Sequence, residues 1–264
     1  MYESYWGLTA LPFQNVPDPK FFCPLPAFQE ALDKLLFVVH SGKGGALLTG
    51  EVGCGKSTLS RVFLMELEEA KYDIGLVINP SIPADELLRE IALQLGLSAS
   101  SPHRPTLFRA LNDHLAANAQ TDKTTVLILD EAHTIGEEAA FENLRMLLNF
   151  QFNDRQLLTL ILLGTPELRG MVAQQRGLDQ RLAVRLTLGP LREEDASFYI
   201  GFRLRKAGAS KPIFSEEAIT AIARESRGIP RRINNLCDLC LLEGWKRGVA
   251  AVDTSLVKAA AALS

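Results

Sequence analysis

Five short apolar runs punctuate the first 190 positions: Ala46–Thr49, Ile74–Ile78, Val126–Leu129, Leu157–Leu163 and Val184–Leu188. Each has the length of a strand. Most are continuous rather than alternating, the habit of strands covered on both faces in a parallel sheet. Between them the apolar spacing turns helical, as at Phe28, Leu32, Leu35 and Val39, at Leu87, Leu88, Ile91 and Leu95, and at Phe141, Leu144, Leu147 and Leu148. Strand–helix alternation of this kind predicts an α/β three-layer sandwich around a parallel five-stranded sheet. Ser98–Pro105, with two prolines and three serines, reads as a loop. After Pro190 the strand signals stop and helical patterns continue, broken at Gly208 and at Gly228-Ile229-Pro230, which predicts a smaller all-helical C-terminal domain. A short Ala259–Ala262 run reads as a helix end.

One junction in this pattern carries chemistry. Gly50-Glu51-Val52-Gly53-Cys54-Gly55-Lys56-Ser57 follows a predicted strand and opens a predicted helix whose Leu59, Val62, Phe63 and Leu67 share a face. This is the G-x-x-x-x-G-K-[ST] phosphate loop in its strand–loop–helix context. The glycines let backbone wrap a phosphate without Cβ clashes. The helix start at Lys56-Ser57-Thr58 adds converging N–H groups and partial positive charge. Lys56 is expected to reach the β- and γ-phosphates of ATP, and Ser57 to place its hydroxyl on Mg²⁺.

Val126–Leu129 ends in Asp130-Glu131, so two carboxylates stand at the C-terminal end of a predicted buried strand. That end is where open α/β sheets bind ligands. Asp130 is expected to hold the Mg²⁺ shell, and Glu131 to orient and polarise the attacking water. Taken alone, the pair also suits a polar strand exit; the phosphate loop 73 residues earlier favours the catalytic reading.

Weaker signals surround these two. Thr165 follows the fourth apolar run and is a candidate to touch the γ-phosphate or the water, though a strand cap fits equally. Arg181 and Arg185 flank the last run; an arginine there is a candidate finger for a neighbouring subunit's γ-phosphate, or part of a solvated basic face. Pro230 suits the first position of a helix, which puts Arg231 in the first turn, where a cation opposes the helix dipole. That cost hints that Arg231 faces an anion such as nucleotide phosphate; tolerance at a surface is the alternative. Cys237 and Cys240 lie on an apolar helical stripe with Ile233, Leu236 and Leu241 and read as core rather than as metal ligands. The four histidines form no ligand cluster, and His133 is placed near the site without a part in catalysis. Cys54 needs to offer only its backbone to the loop, and any acidification of its thiol by Lys56 is incidental.

Composition narrows the setting. The chain has 264 residues with 47% hydrophobic and 22% charged positions, typical of a globular protein able to build a core without staples. The apolar runs are too short to cross a bilayer, and acidic Glu3 occupies the place of a basic signal region, so a cytoplasmic protein with reduced thiols and no membrane span is expected. The net charge of −3 argues against a bulk nucleic-acid binder. Residues 176–264, however, carry 15 Lys/Arg against 10 Asp/Glu, which permits a local polyanion surface.

The chain resembles the ExeA/GspA group of AAA+ ATPases, which includes pilus-biogenesis members and shades into transposition ATPases of the TniB/TnsC type. The likeness runs through nearly the whole chain. It rests on Tyr5-Trp6-Gly7-Leu8, Pro12-Phe13 and Pro17-Asp18-Pro19 near the N-terminus, on Gly50–Ser57, and on Asp130-Glu131-Ala132. It continues through Asn143–Asn149, Gly164-Thr165-Pro166-Glu167-Leu168, Gln180-Arg181-Leu182 with Arg185, and Ser226–Asn234. Thr165 stands where members usually carry Gln. The resemblance implies an N-terminal family segment over 1–40, an AAA+ P-loop core over 41–190 and a helical lid over 191–264. It implies Arg231 as sensor 2 and Arg181 or Arg185 as the arginine finger. It further implies hydrolysis of ATP to ADP and phosphate, coupled to self-assembly into a ring or filament. The process served is expected to be a secretion- or pilus-type envelope machine, or alternatively DNA-bound regulation of a transposase. Secretion-type members continue into a transmembrane helix and a peptidoglycan-binding domain. Neither is read here, so a partner protein is expected to make any membrane or DNA link.

Overall fold

Burial explains the strands first. Val126, Leu127, Ile128 and Leu129 are fully buried, as are Ala46, Leu48, Leu160, Leu162 and Leu163, so these runs are covered on both faces. The computed structural model describes residues 1–98, 103–152 and 155–263. In chain order the elements are α1 (Glu3–Trp6), α2 (Pro26–His40), β1 (Gly45–Gly50), α3 (Lys56–Met65), β2 (Tyr72–Ile78), α4 (Ala84–Gln94) and α5 (Arg104–Gln120). There follow β3 (Thr124–Asp130), α6 (Glu138–Leu147), β4 (Gln151–Phe152), β5 (Arg155–Gln156), β6 (Leu158–Gly164), α7 (Glu167–Gln174), α8 (Arg176–Asp179) and β7 (Val184–Leu188). The chain closes with α9 (Glu193–Lys206), α10 (Glu216–Glu225), α11 (Pro230–Arg247) and α12 (Thr254–Ala261).

Two compact units emerge: residues 1–29, 51–62 and 189–264 form one, and residues 30–50 and 63–188 the other. They cut across the three segments expected from the sequence. In the second unit, a five-stranded sheet runs in the order β2-β3-β6-β1-β7 with every pairing parallel. The carboxyl ends of all five strands therefore share one edge. Flanking helices bury Leu87, Leu88, Ile91, Leu111, Leu144 and Leu168 against the sheet core of Leu47, Leu127 and Leu160. This is an α/β P-loop-type core, as the apolar pattern predicts.

Helix α5 is not anticipated by the pattern. Its buried stripe, Leu107, Leu111, Leu115 and Ala119, is a single row at i+4 spacing in a polar background. The prolines mislead as well: Pro105 occupies the first turn of α5, where its missing N–H costs nothing. Of the expected Ser98–Pro105 loop, residues 99–102 lie outside the described residues, and Arg104 and Pro105 are helical.

In the first unit, α9–α12 form a helical body joined by one parallel bridge between Phe214 and Val252. Residues 1–29 pack with this body because their aromatic tips find partners there. The Tyr2 hydroxyl donates to the Asp238 carboxylate, Trp6 Nε1 donates to the Leu241 carbonyl at 2.9 Å, and Tyr5 donates to the Val249 carbonyl at 2.7 Å. Arg203 is the internal fastener. Buried, it donates to the Pro12 carbonyl at 2.5 Å, the Gln14 carbonyl at 3.0 Å and the Tyr199 hydroxyl at 2.8 Å, and it lies over the Phe21 ring. Replacing Arg203 by Ala removes the donor to two carbonyls and to the Tyr199 hydroxyl, which keeps Asn234 Oδ1 as its own acceptor at 3.0 Å. The expected loss is about 2–4 kcal/mol in urea unfolding, read by circular dichroism.

Candidate functional site

The loop after β1 is built from two glycines in the left-handed region. Gly53 has φ +86° and Gly55 has φ +97°, conformations that an L side chain rarely adopts. Neither has room for one: a Cβ on Gly53 would lie 2.6 Å from Cβ of Arg231, and one on Gly55 would lie 3.1 Å from the Phe28 ring. The turn is closed by the Cys54 N–H donating to the Glu51 carbonyl at 3.2 Å. Lys56 opens α3 and is only 5% exposed, with Nζ donating to the Glu51 carbonyl at 3.2 Å. Burying an ammonium is costly unless it is hydrogen-bonded, so the loop carbonyls and this lysine are matched. Glu51 and Val52 are exposed; Ser57 and Thr58 are half-buried in the first turn of α3.

Arg231 meets this loop directly. Pro230 occupies the first turn of α11, as the sequence predicts, and the Arg231 N–H donates to the Gly53 carbonyl at 3.2 Å. The packing that fixes the loop therefore also fixes the first turn of α11. Phe28, seated against Gly55, is a loop neighbour that the sequence reading does not single out.

A second group gathers at the carboxyl edge of the sheet. Asp130 ends β3, is 7% exposed, and accepts the Glu131 N–H on Oδ1 at 2.9 Å. Glu131 is held at φ +56°, ψ +35°, a left-handed conformation that costs a non-glycine residue about 1–2 kcal/mol. Its carbonyl accepts the Thr134 hydroxyl at 2.8 Å, and its Oε2 lies 3.3 Å from Nδ1 of His133. Asn79, one step beyond β2 and also left-handed at φ +59°, donates its N–H to the Asp130 carbonyl at 3.2 Å. From the next strand, β6, Thr165 donates its N–H to His133 Nδ1 at 3.4 Å. The Thr165 Oγ1 is buried with no hydrogen-bond partner among the described residues. Thus Glu131, His133 and Thr165 come together. Asn79 and the contacts of His133 escape the sequence reading; the available signals were a polar residue just after a strand and a histidine two positions after Glu131.

Arg181 and Arg185 each have partners of their own. Arg185 is opposite Leu47 in the β1–β7 register, three positions short of the Gly50–Leu188 pair at the edge. It is paired with the Asp179 carboxylate at 2.6 Å and donates to the Leu182 carbonyl at 3.2 Å. Arg181 donates to the Gly177 carbonyl and to Asn149 Oδ1, both at 2.5 Å.

Lys56 does not acidify Cys54. Its thiol is fully buried, and burial raises its pKa above the ordinary thiol value, outweighing the lowering effect of Lys56. The thiolate is the reactive form, so alkylation by iodoacetamide at pH 8 is expected to be slow in the folded chain and rapid in urea. Mass mapping of the labelled loop peptide checks this. Cys237 and Cys240 are likewise buried in α11, and burial raises both thiols, Cys240 to about 12.

Comparisons with known proteins agree with this architecture. A family described as "AAA domain" matches residues 39–172. The chain is 38% identical over 251 residues to general secretion pathway protein A of Aeromonas hydrophila, an alignment covering 94% of this chain and 46% of that protein. Among solved structures, Drosophila ORC bound to DNA superposes with a TM-score of 0.71 at 19% identity, covering 95% of this chain and 63% of that one. The Aeropyrum pernix ORC2 protein in its ADPNP-ADP complexes gives 0.70 at 17% identity, covering 96% and 71%. At such identities the two structures share the fold. The chain spans less than half the length of the Aeromonas relative.

Proposed function

Because the chain belongs to the AAA-domain family, we propose that it binds ATP with Mg²⁺ and hydrolyses it to ADP and phosphate. The observation that carries this reading is the buried, unpartnered hydroxyl of Thr165. It follows β6, the strand lying between β1, which leads into the phosphate loop, and β3, which ends in Asp130. A buried donor without a partner is rare and points to a polar group that arrives with a ligand. The chemistry at the two strand exits suits a nucleotide: β1 runs on into a loop with left-handed glycines and a buried lysine, and β3 ends in an acid pair.

In this reading the loop from Gly50 to Thr58 and the Lys56 ammonium bind the phosphates. Ser57 and Asp130 would hold Mg²⁺, which when bound neutralises charge developing on the phosphates. Glu131 orients the attacking water and takes its proton, Thr165 donates to the γ-phosphate or that water, and Arg231 offers its guanidinium from the lid side. Arg181 or Arg185 acts on the nucleotide of a neighbouring copy; the β1–β7 register, which sets Arg185 back from the edge, suits action in trans better than in cis.

Turnover is coupled to self-assembly and to a secretion- or pilus-type envelope machine on its cytoplasmic side. The identity to general secretion pathway protein A over nearly all of this chain supports that process. Among the described residues no helix is long and apolar enough to cross a membrane. The second reading, DNA binding in transposition, rests on the charge of residues 176–264, three of whose 15 basic residues the nucleotide reading already uses. Phosphate release by the purified chain, with light scattering in the presence and absence of a non-hydrolysable ATP analogue, tests the first reading. Absence of ATP turnover refutes it. DNA affinity that falls steeply with salt would favour the second.

A further inference from the structure

His133 sits between two groups that make opposite demands on one atom. Its Nδ1 lies 3.3 Å from Oε2 of Glu131 and 3.4 Å from the Thr165 N–H. A carboxylate needs Nδ1 to carry a proton; an amide N–H needs Nδ1 bare. A neutral imidazole nitrogen is either donor or acceptor, so one contact is satisfied at a time. The close approach is built in: a Cβ on Gly164 would come within 3.2 Å of Nδ1 and 2.8 Å of Leu168. The Glu131 backbone is fixed at both ends, by Asp130 and Thr134, while its side chain is 40% exposed. Among the described residues the contact to that carboxylate comes from His133.

We propose that His133 is a positioning residue for Glu131, exchanging between a donor form that holds the carboxylate and an acceptor form that takes the Thr165 amide. The proton passes between Nδ1 and Nε2 through solvent, with no change in net charge. When the Thr165 segment turns toward a phosphate, its N–H leaves the ring, and Nδ1 becomes free to carry the proton and fix Glu131. Occupancy at the β6 exit is thereby communicated to the base at the β3 exit, and the coupling runs both ways. This inference rests on the ATPase reading above.

The test compares His133→Ala, His133→Leu and His133→Asn in full-length protein, measuring kcat, KM and the affinity for ATP. The Asn amide nitrogen replaces Nδ1 as a donor at the same distance from the backbone; Leu fills similar space without one. The expected result is a kcat lowered about 10- to 100-fold in the Ala and Leu variants, toward the low end of the roughly 10²- to 10⁴-fold worth of the base itself, with ATP affinity within about twofold of wild type and Asn restoring most of kcat. If Ala fails to fold, Leu decides. Wild-type kcat in Leu, an Asn variant as slow as Leu, or a loss of ATP affinity matching the loss of kcat would overturn the proposal. Wild-type protein without ATP turnover, or Glu131→Gln turning over normally, would instead overturn the ATPase reading itself.

Discussion

Glu131→Gln is expected to bind ATP as the unaltered chain does while losing turnover by about 10²- to 10⁴-fold, the range for removal of a general base. The substitution keeps the size of the side chain and its ability to accept a hydrogen bond. The left-handed backbone at 131 is held by Asp130 and Thr134, so the local geometry does not depend on the carboxylate. What disappears is the capacity to take a proton from water. The loss should appear in kcat, with ATP affinity unchanged, because phosphoryl transfer is accelerated by groups that act on the transition state rather than on bound nucleotide. A phosphate-release assay at saturating ATP, beside an equilibrium titration, separates the two quantities. Comparable losses in both would make Glu131 a structural strut instead of the base.

Lys56→Ala is expected to fail one step earlier. The ammonium is already desolvated and donates to the Glu51 carbonyl, among its contacts. A triphosphate would offer it a full counter-charge in a site where water screens little. Loss of that charge-assisted bond is expected to weaken ATP binding by about 2–4 kcal/mol, or roughly 30- to 1000-fold. The protein itself should fold, since truncation removes a buried charge along with its bond. Turnover then falls at every attainable ATP concentration, in contrast to the Gln variant at 131.

The strands and the phosphate loop are legible in the sequence because each is locally encoded. A run such as Val126–Leu129 has one comfortable environment, and the Gly53–Ser57 pattern has one comfortable backbone. The Pro230 start of α11 was legible for the same reason. Helix α5 was not, because one row of leucines at i+4 spacing is a thin signal and Pro105 resembles a breaker. The docking of residues 1–29 onto α9 and α11 depends on hydrogen bonds reaching across some 190 to 240 positions, which no local pattern contains. The meeting of His133 with Thr165 likewise depends on β6 lying beside β3, and strand order is a property of the whole sheet. Chemistry carried by one segment was readable, whereas chemistry assembled from neighbouring strands needed the fold.

Calorimetric titration of ATP into the wild-type and Lys56→Ala chains, each with Mg²⁺ and with chelator, bears most directly on whether this fold holds a nucleotide. The account predicts one saturable site per chain in the wild type, weaker without Mg²⁺ and undetectable at the same concentrations in the variant. Equal binding by both chains, or no binding by the wild type, would contradict it.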